Sequence, residues 1–346
     1  MHRICSSLSA AGYDVFLIGR KLKHSIPIQK QPFTQKRISC IFNKGPLFYC
    51  EYNLRLFFYL LTNTMDGVCA IDLDTILPCL FISKFKQIKR IYDAHEYFTE
   101  LKEVRKRPGV KKAWTAIEKY SVPKFELGYT VSEGLAKEFA RQYARNYLVV
   151  RNLPVLRTSS QIVHRENFLV YQGAVNEGRG FEILIPAMKT IPYKLVICGD
   201  GNFMSKLKDL IRENEVDTKV ELKGMMLPND LKAFAAKAAL GIGLAEKEGI
   251  NQFHALPNKF LEYMHAGLPQ IAMNFPEYEK INAEFQVAVL LDELSVEAVA
   301  NAINRTMDDN ELREKMTNAA RRAREIYCWQ KEEKILLSFY QRVFSE

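Results

Sequence analysis

Two short segments in the second half of the chain carry side chains suited to bind a phosphate. Tyr171-Gln-Gly173 ends a predicted strand, and Gly178-Arg179-Gly180 opens the helix that follows. A glycine-rich turn of this kind exposes backbone N–H groups at a helix N-terminus, where an anion is stabilised. The Arg179 guanidinium could bind the same anion. An ordinary tight turn with a surface arginine is the competing interpretation of this motif.

The segment 255–272, ALPNKFLEYMHAGLPQIA, is the most specific one in the chain. Pro257 is pre-set for a helix start, and Lys259 and Glu262 are three residues apart, so they share one helix face. A cation and a carboxylate at the mouth of a sheet could hold a diphosphate and a ribose together. The alternative is a surface ion pair between them, worth a few tenths of a kcal/mol.

Three further motifs indicate chemistry less strongly. Cys198-Gly-Asp-Gly201 lacks the third glycine of a dinucleotide fingerprint, which disfavours a Rossmann dehydrogenase. Asp72-Leu-Asp74 has the form of a metal-binding DxD motif but follows a predicted buried strand. His95, in Asp93-Ala-His95-Glu96, stands at a strand end, where it is either a hydrogen-bonded structural histidine or a catalytic group.

Composition and charge narrow the class of protein. The 346 residues suggest two domains, and 48% hydrophobic with 26% charged residues exclude a disordered chain. The net charge of +9 originates in the first half, where Lys102–Lys112 holds six cations and one glutamate. A basic half of this kind indicates binding to an anionic lipid, a phosphorylated substrate or nucleic acid. The alternative is that the charges form a solvated surface with no partner. Seven cysteines without CxxC spacing argue against a disulfide framework and a zinc site.

Neither a signal peptide nor a membrane span is expected. No apolar run approaches the ~20 residues needed to cross a bilayer, and the N-terminus lacks an apolar signal core. The sequence therefore predicts an intracellular protein that does not span a membrane.

Strand and helix patterns alternate along the whole chain, which predicts parallel sheets covered by helices on both faces. The expected strands cover 14–18, 37–42, 68–73, 89–92, 127–131, 147–150, 168–171, 194–198, 220–222, 240–244, 270–273 and 287–291. The expected helices cover 51–61, 77–85, 112–120, 133–143, 181–189, 204–212, 230–238, 258–265, 296–307, 310–326 and 330–344. The polar stretch 157–166 is predicted to be a linker between two doubly wound domains that face a cleft.

The runs YQGAVNEGRGFEILIPAM, LVICGDGN, VELKG and LPNKFLEYMHAGLPQIAM together resemble the nucleotide-sugar-binding domain of GT-B glycosyltransferases of family 4. In the first half, AGYDVFLIGR, IYDAHEYFTE, YTVSEGLAKEF and VVRNLPV are similar to the acceptor domain of that family. The resemblance implies an acceptor-binding domain at 1–154, a donor-binding domain at 155–329 and a C-terminal helix at 330–346 that packs back on the first domain. It also implies that the strand that usually opens the family's first domain, ahead of a helix similar to His2–Ala10, is missing here.

The resemblance assigns roles to individual residues. His95 matches the family's histidine near the reacting carbon, Arg179 its diphosphate-binding cation and Glu262 its ribose-binding glutamate. His254 stands where the family's E-x7-E motif has its first glutamate, Glu262 being the second. Ala174 replaces a companion arginine of the family, and Lys259 is expected to supply the missing cation. The implied donor contacts are Gly173, Arg179, Gly199, Asn258, Lys259 and Glu262. The implied catalytic residues are His95, Arg179 and Lys259.

The expected activity is a retaining transfer of a sugar from a nucleoside-diphosphate sugar, a UDP-sugar above all, to a glycan or lipid-linked acceptor in surface polysaccharide synthesis. No metal or other cofactor is expected, which removes a metal role for Asp72-Leu-Asp74. Binding to nucleic acid is not expected either. We expect a cytoplasmic protein whose Lys102–Lys112 segment docks on an anionic membrane surface. Two alternatives stay open: a nucleotide-sugar epimerase on the same fold, and a shortened, non-catalytic GT-B binding protein.

Overall fold

The computed structural model describes residues 1–23, 25, 27–157 and 164–345. The chain divides into two compact units. The first comprises Met1–Arg151 and Lys331–Glu346, and the second comprises Asn152–Gln330. Most of the predicted linker 157–166 lies outside the described residues.

The first unit contains two parallel sheets among its described residues. The smaller pairs β1 (Phe16–Lys21) with β2 (Thr34–Ser39). The larger follows the order β3-β4-β5-β6, with bounds Gly67–Ile71, Lys89–Ala94, Leu127–Thr130 and Leu148–Val149. One hydrophobic core joins the two sheets, because Ile38 of β2 belongs to the same buried cluster as Val68 of β3 and Tyr92 of β4.

Helices cover the sheets of the first unit. Their bounds are α1 His2–Ala10, α2 Gly45–Thr62, α3 Ile76–Lys86, α4 Lys102–Arg105, α5 Pro108–Ser121 and α6 Glu133–Tyr143. The last helix of the chain, which begins at Trp329 and ends at Ser345, contributes its residues from Lys331 onward to this unit. Phe344 fills the space beside Gly67, where a Cβ would come within 2.7 Å of its ring. That helix is therefore packed against the start of β3.

The second unit is a six-stranded parallel sheet with the order β12-β11-β10-β7-β8-β9. The strands are β7 Glu166–Gln172, β8 Lys194–Cys198, β9 Val220–Gly224, β10 Ala238–Gly243, β11 Gln270–Met273 and β12 Ala288–Leu291. Chain order reverses between β7 and β10, which is the doubly wound topology, and ligands of such sheets bind beyond the carboxyl ends at this reversal. The strands β8, β10 and β11 are almost wholly buried, as expected of a sheet covered on both faces.

The helices of the second unit lie between and after these strands. Their bounds are α7 Phe181–Ala187, α8 Met204–Glu213, α9 Pro228–Lys237, α10 Ile250–His254, α11 Asn258–His265, α12 Pro276–Phe285, α13 Val296–Asp308 and α14 Asn310–Ile326, and the C-terminal helix is α15. Side-chain oxygens cap two of them: Ser295 accepts from the Ala298 N–H, and Asp309 accepts from the Leu312 N–H. The α/β class with parallel sheets and a C-terminal helix agrees with the sequence-based prediction.

Candidate functional site

The glycines that end β7 and β8 let two backbone loops approach each other closely. Gly173 and Gly199 both have positive φ, of 117° and 157°. The Gly173 N–H donates to the Cys198 carbonyl at 3.0 Å. A Cβ on Gly199 would lie 1.9 Å from the Gly173 carbonyl oxygen, so no other residue fits there without moving the backbone. The two predicted donor-contacting glycines therefore shape one floor at the carboxyl ends of neighbouring strands.

Lys259 lies near the start of α11, and its ammonium group is buried. The nitrogen is 3.8 Å from the centre of the Tyr171 ring, and no hydrogen-bond acceptor reaches it within the described ranges. Burial lowers the pKa of Lys259 well below its usual range, and the charge of Arg179 lowers it further. The two predicted cations are thus neighbours, and their mutual repulsion favours an anion placed between them.

Glu262 lies one turn further along α11 and contacts the end of β7. Gln172 donates its side-chain N–H to the Glu262 carboxylate, and the Gln172 backbone N–H donates to the Tyr263 hydroxyl at 3.0 Å. Tyr263 in turn donates to the Val170 carbonyl at 3.1 Å. These bonds hold the half-buried carboxylate in place beside Gly173. Lys259 and Glu262 contact different partners, so the simple surface ion pair considered from the spacing is not what the structure shows.

Asn258 and His254 flank the same helix start. The Asn258 side-chain oxygen accepts from Asn152 at 3.0 Å, which ties the beginning of α11 to the segment that enters the second unit. His254 ends the short helix α10, and its ring packs edge-on against Phe253. Its Nδ1 is buried without a hydrogen-bond partner among the residues that the structure describes. The start of α11 therefore offers an amide, an unpaired ring nitrogen and a buried ammonium.

His95 belongs to the first unit and follows directly after β4. Its Nε2 lies 3.2 Å from Asp93 Oδ1 and 3.2 Å from the Met1 sulfur. Its backbone N–H donates to Asp72 Oδ1 at 2.9 Å, which anchors the loop after β4 to the loop after β3. Burial lowers the pKa of His95, but the carboxylates of Asp93 and Asp72 outweigh that effect and raise it.

The carboxylates of Asp72 and Asp74 lie in partly buried positions after β3. Asp72 has φ 53°, and its Oδ1 also accepts from the Glu96 N–H at 3.2 Å. Burial raises the pKa of Asp72 to about 7 and that of Asp74 to about 6. Among the described residues, no cluster of three or more His, Cys, Asp or Glu side chains could hold a metal ion. Asp72 thus serves as a hydrogen-bond acceptor for the His95 loop.

The basic segment Lys102–Lys112 covers α4 and the start of α5. Three of its six cations, Arg105, Lys111 and Lys112, line a shallow groove on α5 together with Lys119. Glu100 pairs with Lys111 at 2.7 Å and with Arg105 at 3.7 Å, so part of this charge is neutralised. Of the neighbouring apolar residues, Val104 is buried and Trp114 packs against Phe98 in the core.

Residues 154–323 match the family described as Glycosyl transferases group 1. This match covers nearly the whole of the second unit, Asn152–Gln330. An uncharacterized glycosyltransferase from Methanocaldococcus jannaschii is 20% identical over 216 residues, which cover 62% of this chain and 58% of that protein. The chain thus matches less than two thirds of the length of this curated relative.

Solved structures extend the likeness from this domain to the whole chain. Sucrose-phosphate synthase from Thermosynechococcus elongatus has a TM-score of 0.79 at 16% identity, covering 99% of this chain and 92% of that one. The lipopolysaccharide glycosyltransferase WaaG has a TM-score of 0.72 at 17% identity, covering 96% and 93%. Anabaena HepE, solved with UDP, has a TM-score of 0.69 at 14% identity, covering 90% and 87%. The chain has the GT-B fold.

Several residues at these two places were not singled out from the sequence. Gln172 and Tyr171 hold Glu262 and Lys259 from β7, and Asp93 with Tyr129 lies behind His95. Asp93 could have been noticed, because it is a charged residue two positions before His95 at the end of an apolar strand. Nothing in the local sequence of the two tyrosines marks them.

Proposed function

We propose that this protein is a retaining glycosyltransferase of family 4 that moves a hexosyl or related sugar from a UDP-sugar to a glycan or lipid-linked acceptor. The observation that carries the proposal is the buried Lys259 ammonium beside Arg179, at the carboxyl end of β7. A buried ammonium with no acceptor is costly, and a diphosphate would supply both the missing acceptors and the compensating charge. The glycosyl transferases group 1 domain supports a transferase reaction.

Each residue then has a role in the transfer. Arg179 and Lys259 stabilise the negative charge that grows on the leaving diphosphate, and Glu262 accepts hydrogen bonds from the ribose hydroxyls. Gly173 and Gly199 keep the floor of the site free of side chains, and Asn258 faces the β-phosphate from the start of α11. His95, in the first unit, takes part in the sugar-transfer step. The acceptor hydroxyl attacks on the face from which the diphosphate leaves, and the leaving oxygen takes its proton.

The identity of donor and acceptor is supported by the relatives. HepE was solved with UDP and also with UDP-glucose, and WaaG takes part in lipopolysaccharide synthesis. These properties favour a uridine donor and a surface polysaccharide pathway for this chain. We propose that the reaction needs no metal ion, because Arg179 and Lys259 supply the positive charge at the proposed diphosphate site.

Calorimetric titration of UDP tests the donor site. Glu262→Ala should weaken UDP binding by about 10- to 150-fold, since a hydrogen bond to a charged group contributes ~1.5–3 kcal/mol. Glu213→Ala removes an exposed carboxylate of α8 in the same unit and serves as the matched control. Equal affinity of wild type and Glu262→Ala would contradict the assignment of Glu262 to the ribose.

Product analysis separates the transferase from its two alternatives. A transferase consumes UDP-sugar and releases UDP when a glycan or lipid-linked acceptor is present. An epimerase converts the UDP-sugar into its epimer with no acceptor, and a non-catalytic protein binds UDP and leaves the sugar nucleotide intact. Release of UDP that depends on the acceptor is the result expected here.

We further propose that the first unit docks peripherally on the cytoplasmic face of an anionic membrane. No helix within the described ranges combines the length and the apolar character that crossing a membrane requires. The basic groove on α5 supplies the charge, and each cation near an anionic leaflet contributes about 1 kcal/mol. Val104 and Trp114, which lie beside the basic segment, pack inward and are not available for apolar contact with a membrane. Exposed apolar side chains instead lie on α2 (Leu54, Phe58) and α3 (Phe81, Phe85).

Co-sedimentation with vesicles tests the docking. Wild type should bind vesicles rich in phosphatidylserine and release them at 1 M salt, where the Debye length falls to ~3 Å. Lys112→Glu with Lys119→Glu should abolish this binding, whereas Lys208→Glu with Lys232→Glu, on exposed positions of the second unit, should leave it intact. Equal binding to neutral vesicles, or no binding at all, would overturn the docking proposal.

A further inference from the structure

A chain of buried polar side chains connects His95 to the C-terminal helix. Asp93 is fully buried, and its Oδ2 accepts from the Tyr129 hydroxyl at 2.9 Å. Tyr129 lies 3.4 Å from the hydroxyl of Tyr340, which belongs to α15. On the other side, Asp93 Oδ1 lies within ion-pair distance of His95 Nε2, at 3.2 Å but outside hydrogen-bond geometry, and Nε2 also lies 3.2 Å from the Met1 sulfur.

Counting donors fixes the direction of this chain. The single hydroxyl proton of Tyr129 is donated to Asp93, so a hydrogen bond at the 3.4 Å contact can only run from the Tyr340 hydroxyl to the Tyr129 oxygen. The two groups beside Nε2, the Asp93 carboxylate and the Met1 thioether, are acceptors, so the proton of the neutral ring belongs on Nε2. In the neutral imidazole, Nδ1 is then the atom that keeps a free lone pair.

We propose that Asp93 is a positioning residue which, held by Tyr129 and Tyr340, fixes the ring of His95 as the Nε2–H tautomer with Nδ1 presented to the substrate. This inference rests on the proposed catalytic role of His95 and adds the residues that set its proton. It also gives the C-terminal helix a part in the reaction site of the first unit, because Tyr340 is the outermost member of the chain of donors.

The groups that surround His95 shift its pKa in both directions, and the net effect is to raise it. Asp93 and Asp72 are the facing carboxylates and raise the pKa of His95, whereas burial and the Met1 amino group lower it. Glu96 follows His95 and its backbone is held by Asp72. Behind Asp93, Cys69 and Tyr129 are uncharged, since burial raises both of their pKa values well above the usual range. The neighbouring Cys5 thiol also has its pKa raised by burial, to about 11.

Substitutions in this chain of polar side chains should shift the pKa of His95 in opposite directions. A general loss of structure would not produce shifts of both signs. Asp93→Asn removes the negative charge and should lower the pKa of His95, weakening proton binding at least about tenfold. Tyr129→Phe removes a donor from Asp93, which makes the carboxylate a stronger partner, and should raise the pKa of His95. Tyr340→Phe should act in the same direction as Tyr129→Phe but more weakly. Tyr147→Phe alters a buried tyrosine that donates to the Phe125 carbonyl and should have no effect.

The experiment is a pH titration of the histidine ring nitrogens by ¹⁵N NMR on the full chain. The chain has six histidines, and the His95 signals are assigned by their loss in His95→Asn. The expected result is the Nε2–H tautomer in the neutral wild-type ring, with the pKa shifts described above. An Nδ1–H tautomer in wild type, or an unchanged His95 pKa in Asp93→Asn and Tyr129→Phe, would overturn the proposal. The wild-type spectrum decides the tautomer even if a variant fails to fold.

This readout is separate from the proposed function because it needs no sugar nucleotide. A confirmed tautomer without any transfer would leave the positioning chain standing and reject the transferase. Transfer by a protein whose neutral His95 carries its proton on Nδ1 would reject the positioning chain and leave the transferase standing. The two hypotheses therefore fail on different measurements.

Discussion

The Lys259 ammonium lies over the face of the Tyr171 ring, 3.8 Å from its centre, and finds no hydrogen-bond acceptor in the described part of the chain. When the nitrogen is protonated, the ring recovers roughly 0.5–2 kcal/mol of the cost of burying the charge. Leaving a buried polar group without a hydrogen bond costs about 1–3 kcal/mol, so Lys259 destabilises the folded protein when no ligand is bound. A bound diphosphate would supply the missing acceptors, so Lys259 would stabilise the complex although it destabilises the ligand-free protein.

Binding of UDP should therefore be accompanied by proton uptake at Lys259. Burial, followed by the charge of Arg179, lowers the pKa of Lys259 in the free protein, and a diphosphate beside it raises that pKa again. At pH 8.5 the phosphates of UDP are fully ionised, so the uptake belongs to the protein. Calorimetric titration in buffers of different ionisation enthalpy measures it, and up to one proton per UDP is expected.

Lys259→Met should abolish this uptake and weaken UDP binding by about 10- to 150-fold. The same variant should raise the free energy of unfolding by about 1 kcal/mol, because the unsatisfied ammonium is gone. Lys208→Met, on an exposed position of α8, is the control for loss of a lysine. Proton uptake that persists in Lys259→Met would assign it to another group.

Local patterns predicted most of the secondary structure. The helices 133–143, 258–265 and 310–326 and the strands 194–198 and 270–273 have the predicted bounds. Helix α2 begins six residues earlier than expected, because Pro at its first turn starts a helix that the apolar run alone did not indicate. The pattern missed α12, whose buried Glu277 and Tyr278 break the usual spacing of polar and apolar residues.

Contacts within the site were less predictable, because they depend on which strands become neighbours. The sequence placed Lys259 and Glu262 on one helix, but which β7 residue each contacts follows from the position of α11 beside that strand. The partners of Trp114 were not predictable either, because spacing indicates the apolar side of α5 but not that Phe98 and Tyr49 pack against the Trp114 ring. Long-range pairs such as Tyr129 with Tyr340 lie 211 positions apart, beyond any local pattern.

Replacing His95 should separate catalysis from donor binding. His95→Ala removes a side chain of the first unit, whereas the proposed UDP contacts all belong to the second, so UDP affinity should stay within about twofold. Turnover should fall about 100-fold or more, the usual effect of losing a group that stabilises the transition state. Steady-state kinetics with UDP-sugar and acceptor measures this, with His164→Ala, an exposed position, as control. A parallel loss of UDP affinity would place His95 in donor binding.

Two glycine substitutions should show how tightly the loops after β7 and β8 approach. Gly173→Ala meets no atom within 4 Å and incurs only the cost of its φ of 117°, about 1–3 kcal/mol. Gly199→Ala adds a clash with the Gly173 carbonyl and should cost at least 1–3 kcal/mol more. Calorimetric unfolding of the full chain compares the two variants. Equal unfolding temperatures would mean that the backbone yields at this point.

Asp72 should make the first unit less stable as the pH rises. Burial raises its pKa to about 7 from 3.8, so between about pH 4 and 7 the folded chain holds a proton that the unfolded chain has released. The resulting stability is present at low pH and is lost as the pH rises through the folded-state pKa. Asp72→Asn keeps the Oδ1 acceptor for the His95 N–H but cannot ionise.

The variant should therefore gain about 4 kcal/mol over wild type between pH 4 and 8, since one unit of pKa shift corresponds to ~1.4 kcal/mol. The raised pKa of His95, to which Asp72 contributes, changes stability in the same direction, so its loss in the variant adds to the effect. Urea unfolding at a series of pH values gives the two profiles, and Asp66→Asn, an exposed position before β3, should follow wild type. Parallel profiles for wild type and Asp72→Asn would show that Asp72 is already ionised in the folded protein at low pH.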